Sequence, residues 1–241
     1  MIRDRFADIL GQDYNLFKRI MPHSDDLQDR LGEMVKNYSH HLPNKIISVI
    51  EGGSGTGLTT LRLLEADNRI AVSCIDNEET YLRQASSALD EYSDRIRFIN
   101  NDLLDALKDI PDNSIDIFAS AWMIHNVPPK YRAQLFPAIS RVLKSGGLFI
   151  NCDKLAQNDP SLHLADLEIQ SQNLELFDTL GRPDLKKKWK EHWDNDEKIK
   201  FTEDEQIRLL KNQSLGRISI SNRKGMDAII IGIKGDFGSE T

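Results

Sequence analysis

The sequence predicts an α/β fold: an open, mostly parallel sheet with helices on both faces, closed by a C-terminal hairpin that supplies one antiparallel strand. Three observations predict it. Short apolar runs alternate strictly with helical patterns from Lys45 to Cys152. The runs are near-continuous and rich in β-branched residues, as suits strands buried on both faces. A glycine-rich turn, "EGGSGTG", directly follows the first run.

The elements follow in order. Residues 1–44 carry apolar residues at helical spacing (Phe6, Ile9, Leu10; Leu16, Phe17, Ile20; Leu27, Leu31, Met34, Val35), interrupted at Pro22 and closed at Pro43. This is a helical cap. Residues 45–154 form the core. "KIISVIE", "RIAVSCID", "RIRFIN", "SIDIFASAWM" and "GGLFINC" read as five strands. Helices read between them: "LTTLRLLEA", "EETYLRQASSALDEY" with Tyr81, Ala85, Ala88 and Leu89 on one face, "DLLDALKDI", and "KYRAQLFPAISRVLK" with Tyr131, Leu135, Ile139, Val142 and Leu143 inward. Residues 155–213 contain no strand pattern and read as a helical lid or insertion. There Leu162, Ala165, Ile169, Leu176 and Leu180 share a helical spacing, and Thr202 with Glu205 three residues on marks an N-cap. Residues 214–235, "LGRISIS" and "MDAIIIGIK" around "NRKG", read as the closing hairpin. Residues 236–241 are expected to fray.

Composition limits the function. The 241 residues are 39% hydrophobic and 29% charged, which fits one large globular domain. The net charge of −7 argues against a protein that grips nucleic acid by its phosphates. "KKKWKEHW" interleaves basic and aromatic residues, yet residues 181–205 hold seven Lys or Arg against eight Asp or Glu, so a solvated helix face is expected. The two cysteines, Cys74 and Cys152, end apolar runs and read as buried free thiols. No metal-ligand spacing is present, and no metal is expected. No run is long enough to span a bilayer, so the cytoplasm is the default location, with no membrane partner and a monomer or homodimer as the expected state.

The glycine turn lacks the Gly-Lys pair of a P-loop. It places Leu58 where a dinucleotide fingerprint has its third glycine, which weakens that reading. The remaining pattern, Glu51, Gly53, Gly55 and Gly57, resembles motif I of the class I S-adenosylmethionine-dependent methyltransferases. "SCID" ending in Asp76, "NNDLLD" with Asp102, "DIFASAWMIHNVPP" and "ISRVLKSGGLFI" extend the resemblance over residues 45–154 closely and 214–235 in outline. Ser145 stands where the family has proline, and Gly52 and Ser54 stand where it more often has a hydrophobic residue and a cysteine.

The resemblance implies a Rossmann-like, seven-stranded sheet and S-adenosyl-L-methionine as cofactor. It implies that the glycines pass the methionine portion and ribose against backbone, with Glu51 facing the cationic ammonium. Asp76 would accept from the ribose hydroxyls. Asp102 would reach the adenine amino group, with Leu103 as amide and wall. Ser54, Asn77, Ala119 and Trp122 complete the expected donor site. His125 follows the fourth strand where the methyl group should point, and is the candidate general base. Trp122 and Met123 are expected to line the donor or acceptor pocket. Tyr14, Met21, His23 and Tyr38 are candidate lid residues. The expected activity is methyl transfer to a small molecule. The order of helical preface, core and insertion also resembles the carboxy-S-adenosylmethionine synthases of tRNA wobble-uridine modification, although no carboxylate-binding arginine could be matched. A nicotinamide-dinucleotide oxidoreductase and a non-catalytic binder of the same ligand remain as alternatives.

Overall fold

A computed structural model describes residues 16–235 of the chain. The expectations on Phe6, Ile9, Leu10 and Tyr14, and on the tail at 236–241, lie outside the described residues.

One seven-stranded sheet organises the molecule, in the order β3-β2-β1-β4-β5-β7-β6. The strands are β1 (Ile47–Gly52), β2 (Ile70–Asp76), β3 (Ile96–Asn100), β4 (Ile115–Ala121), β5 (Leu143–Lys154), β6 (Leu215–Lys224) and β7 (Asp227–Lys234). The first five pair in parallel. β7 runs antiparallel between β5 and β6. The order reverses at β1 and β4, so the carboxyl ends of these strands open onto a crevice.

Adjacent residues of the central strands point to opposite faces and enter two cores. On one face Val49, Ile117, Leu148 and Ile229 pack with Leu27, Leu31 and Val35 of helix α1 (Ser24–Ser39) and with Leu63 and Leu64 of α2 (Leu58–Ala66). On the other, Ile50, Phe118, Phe149 and Ile230 pack with Leu135 and Ile139 of the helix Pro129–Val142. Phe118 and Phe149 stack with ring centroids 5.9 Å apart. Both cysteines are buried and unpaired.

The remaining helices are α3 (Glu79–Ala88), α4 (Leu103–Lys108), α5 (Pro129–Val142), α6 (Pro160–Asn173), α7 (Pro183–Lys198) and α8 (Glu203–Lys211), with single turns at Phe17–Ile20 and Leu176–Thr179. Thr202 caps α8, its hydroxyl accepting from the Glu205 N–H at 3.1 Å. Leu143 does not sit on α5: it opens β5, because the chain turns extended there (φ −64°, ψ 138°). Ala88, expected inward on α3, is exposed at the helix end. Among the described residues, no helix is long and apolar enough to cross a membrane.

The larger departure is α6. Leu162 and Ile169, expected inward, are more than half exposed, and Leu180 beyond the helix is 38% exposed. The buried positions are instead His163 and Gln170. The helix is turned by about one residue (~100°). Polar partners explain it: His163 Nε2 meets Glu197 Oε2 at 2.9 Å, and Gln170 Oε1 accepts from the Lys154 ammonium at 3.3 Å. A buried polar group must be paired, and that requirement outweighs exposing two aliphatic side chains. In α7 the aromatic residues Trp189 and Trp193 are buried, so "KKKWKEHW" presents lysines and no stacking platform.

Candidate functional site

A cleft opens at the carboxyl ends of β1, β2 and β4. Gly53, Gly55, Asp76, Asn77, Asp102, Leu103 and Trp122, all expected at the donor site, line it together. Two glycines shape its floor. Gly53 has φ +69°, and an added Cβ would lie 2.4 Å from Met123 Cγ. Gly55 has φ +53° and an added Cβ would meet nothing, so open space lies directly over its backbone.

Asp76 anchors the loop. Its Oδ2 accepts from the Gly55 N–H at 2.8 Å, and Oδ1 from the Glu78 N–H at 2.9 Å. Burial pushes the carboxyl above the usual range, and these N–H groups partly offset that. Each oxygen has a second lone pair for a ligand hydroxyl. On the far side Asp102 Oδ1 accepts from the Leu104 N–H at 2.9 Å, capping α4, and from the Tyr131 hydroxyl, also at 2.9 Å. The cap and the tyrosine contact therefore share one carboxylate oxygen. Burial first, then Asp102, raises the Tyr131 phenol well above its ordinary value, which keeps it a donor.

Ile75, Leu103, Met123 and Trp122 make the apolar walls. Trp122 has φ +47°, a left-handed conformation that is rare for a bulky residue. Three bonds hold it there. Its N–H donates to Cys152 O at 2.8 Å, its carbonyl accepts from Asn126 Nδ2 at 2.9 Å, and its indole N–H donates to Asp227 Oδ1 at 2.9 Å.

Four expected donor residues lie outside the lining. Glu51 is 1% exposed beneath the loop, accepting from the Thr60 hydroxyl at 2.6 Å. Burial pushes its carboxyl up to about 8. Ser54 is buried behind the turn. Gly57 serves packing: an added Cβ would lie 2.8 Å from Leu89 Cδ1. Ala119 is in the sheet interior, two residues short of Ala121, which does reach the cleft.

His125 also stands behind the lining, 8% exposed. Its N–H donates to Asp153 Oδ2 at 3.1 Å, and its Nδ1 lies 2.5 Å from Asp153 Oδ1. Asn151 Nδ2 donates to the same carboxylate at 3.0 Å. Its Nε2 faces Asp196 Oδ2 of α7 at 3.7 Å. His192 Nε2 lies 3.6 Å from that oxygen, and Lys154 Nζ 3.7 Å from it. His125, His192 and Asp196 thus bring three metal-ligand atoms within 4.8 Å of one another. Lys154 already supplies positive charge at the shared carboxylate.

Sequence reasoning missed Tyr131, Asn101, Asn126 and Glu78 in the cleft. Tyr131 carried a signal. It lies in the first turn of a helix that begins beside the strand ends, where an aromatic residue meets the crevice as readily as the core.

Residues 49–147 match a family described as "Methyltransferase domain". A carboxy-S-adenosyl-L-methionine synthase of Nautilia profundicola is 24% identical over 191 residues, covering 77% of this chain and 76% of that protein. A demethylmenaquinone methyltransferase of Leptospira interrogans is 32% identical over 123 residues, covering 50% of this chain and 46% of that one. Among solved structures, the CurJ carbon methyltransferase superposes with a TM-score of 0.62 at 14% identity, over 86% of this chain and 54% of that chain. The chain thus spans from about half to three quarters of the length of these relatives.

Proposed function

We propose that the chain transfers a methyl group from S-adenosyl-L-methionine to a small-molecule acceptor, a reading supported by the methyltransferase-domain match over residues 49–147. The observation that carries this is the cleft itself. An acid at each end, Asp76 and Asp102, brackets an apolar slot, and Gly55 leaves open space over the backbone between them. That donor and acceptor set fits a nucleoside: ribose hydroxyls on Asp76, an exocyclic amine at Asp102, a purine between Leu103 and Met123.

When bound, the donor supplies a methyl group already activated on a sulfonium. The chain has to position it, exclude water, and take up the acceptor's proton. Trp122 closes the slot. His125 is the assigned proton acceptor: Asp153 at Nδ1 fixes its ring and leaves Nε2 toward the side where α7 covers the sheet. Residues 155–213 act as the lid on that side. Activity as a carboxy-S-adenosylmethionine synthase would place a carboxylate in the cleft, and among the described residues no Lys or Arg lines it. That favours the plain methyl donor.

Calorimetric titration of ligand-free protein with S-adenosylmethionine, S-adenosylhomocysteine and NAD tests the reading. Micromolar binding of the first two and none of NAD is expected. NAD binding alone would overturn it.

A further inference from the structure

Three buried side chains behind the donor cleft converge on one point. His192 and Asp196 stand four residues apart on α7, and so share one face of that helix. His125 meets them from the turn after β4: its Nε2 lies 3.7 Å from Asp196 Oδ2, and His192 Nε2 lies 3.6 Å from the same oxygen. The three ligand atoms fall within 4.8 Å of one another, and each residue is less than a tenth exposed. Among the described residues, no other set of His, Cys, Asp and Glu converges in this way.

Spacing and orientation suit an ion. Ligands about 2.0–2.1 Å from a tetrahedral metal lie roughly 3.3 Å apart. The two measured pairs need to close by only about 0.3–0.4 Å to reach that spacing, and the remaining pair by at most about 1.5 Å. Asp153 Oδ1, 2.5 Å from His125 Nδ1, holds the ring proton on that nitrogen and leaves the Nε2 lone pair facing the gap. A carboxylate behind a histidine is the arrangement that orients imidazole ligands in metal sites. Two imidazoles and one carboxylate suit a borderline ion such as Zn²⁺ better than Mg²⁺, which prefers oxygen and keeps its water.

Lys154 is the competitor. Its ammonium lies 3.7 Å from Asp196 Oδ2 and already offsets that charge. It is held elsewhere too, donating to Gln170 Oε1 at 3.3 Å and lying 5.9 Å from the centroid of the Trp193 ring. An ion that takes Asp196 therefore leaves the ammonium with partners.

We propose that His125, His192 and Asp196 form a site for a Zn²⁺-class ion, which binds in competition with Lys154 and fastens α7 to the turn after β4. The ion occupies the Nε2 lone pair of His125 and so withdraws the proton acceptor. The site does not depend on the methyltransferase reading; the withdrawal of the base does.

The test uses the full chain, free of any tag and stripped of metal with a chelator, titrated calorimetrically with Zn²⁺ and with Mg²⁺. One equivalent of Zn²⁺ is expected with a Kd of about 1 μM or tighter, and Mg²⁺ at least about a hundred-fold weaker. Co²⁺ in place of Zn²⁺ should give the intense visible absorption of a four-coordinate site, a reading that needs no variant. His192→Phe keeps the ring that meets Trp189 edge-on and removes the ligand nitrogen; it should weaken Zn²⁺ at least about thirty-fold. Lys154→Met removes the competing charge and should tighten Zn²⁺ about ten-fold. Zinc binding indifferent to His192→Phe, as at the exposed His40 and His41, would overturn the proposal. So would zinc binding weakened by Lys154→Met, a preference for Mg²⁺, a six-coordinate Co²⁺ spectrum, or no zinc binding by the wild-type chain. Failure of the metal-free chain to bind S-adenosylhomocysteine would instead overturn the methyltransferase reading and leave the ion site standing.

Discussion

On the donor side of Trp122, the groups that meet the cleft come from the ends of neighbouring strands and are held by backbone. Asp76 is fixed by two main-chain N–H groups, Asp102 by the first turn of α4, and the floor by two glycines with positive φ. On the other side, the groups come from β5, β7, the turn after β4 and the helices α6 and α7, and are held by one another. His125, Asp153, Lys154, Gln170, Asp196 and Asp227 form one buried polar cluster. The first kind of site needs particular residue types at fixed spacing along a short stretch. The second needs only that buried charges find partners, wherever in the chain those lie.

That difference governs what the sequence could reveal. The sheet, its antiparallel closing strand and the acids at Asp76 and Asp102 were legible, because each follows from a local pattern. The lid half was not. Periodicity placed Leu162 and Ile169 inward, but Glu197 recruited His163, the cluster recruited Gln170, and α6 turned over. Glu51 lies deeper than its place in the motif suggests, because Thr60 and Cys74 pack around it beneath the loop. Nothing in the residues near Trp122 announced its partner Asp227, 105 positions away.

Four variants sharpen the comparison, and the largest effect is chemical. His125→Gln should lower turnover by about 10²–10⁴-fold once an acceptor is in hand, while donor affinity stays within about three-fold. Rate assays beside binding titrations check both. Gly53→Ala should destabilise the fold by about 1–3 kcal/mol in chemical denaturation, since its Cβ would collide with Met123 at a positive φ. Trp122→Phe should cost about 1–3 kcal/mol by leaving the buried Asp227 without its donor.

The last effect is a pH dependence. Glu51 has a folded pKa of about 8, against roughly 4.3 in an unfolded chain. The folded state therefore keeps a proton that the unfolded state releases. The resulting stability is complete below about pH 4 and is lost as pH rises through 8. Glu51→Gln removes that loss, so the melting temperature of the variant should gain on wild type between about pH 5 and pH 9. A gap that stays constant or narrows over this range would show that Glu51 is ionised in the folded protein.

The central claim is that Asp76 serves donor binding while His125 serves the chemistry and not donor affinity. Calorimetric titration of S-adenosylhomocysteine into Asp76→Ala and His125→Gln tests it most directly. The account predicts at least about a hundred-fold loss of affinity for the first, which removes an acid with two ligand-facing lone pairs, and little change for the second. Equal losses in both variants, or a loss confined to His125→Gln, would contradict it.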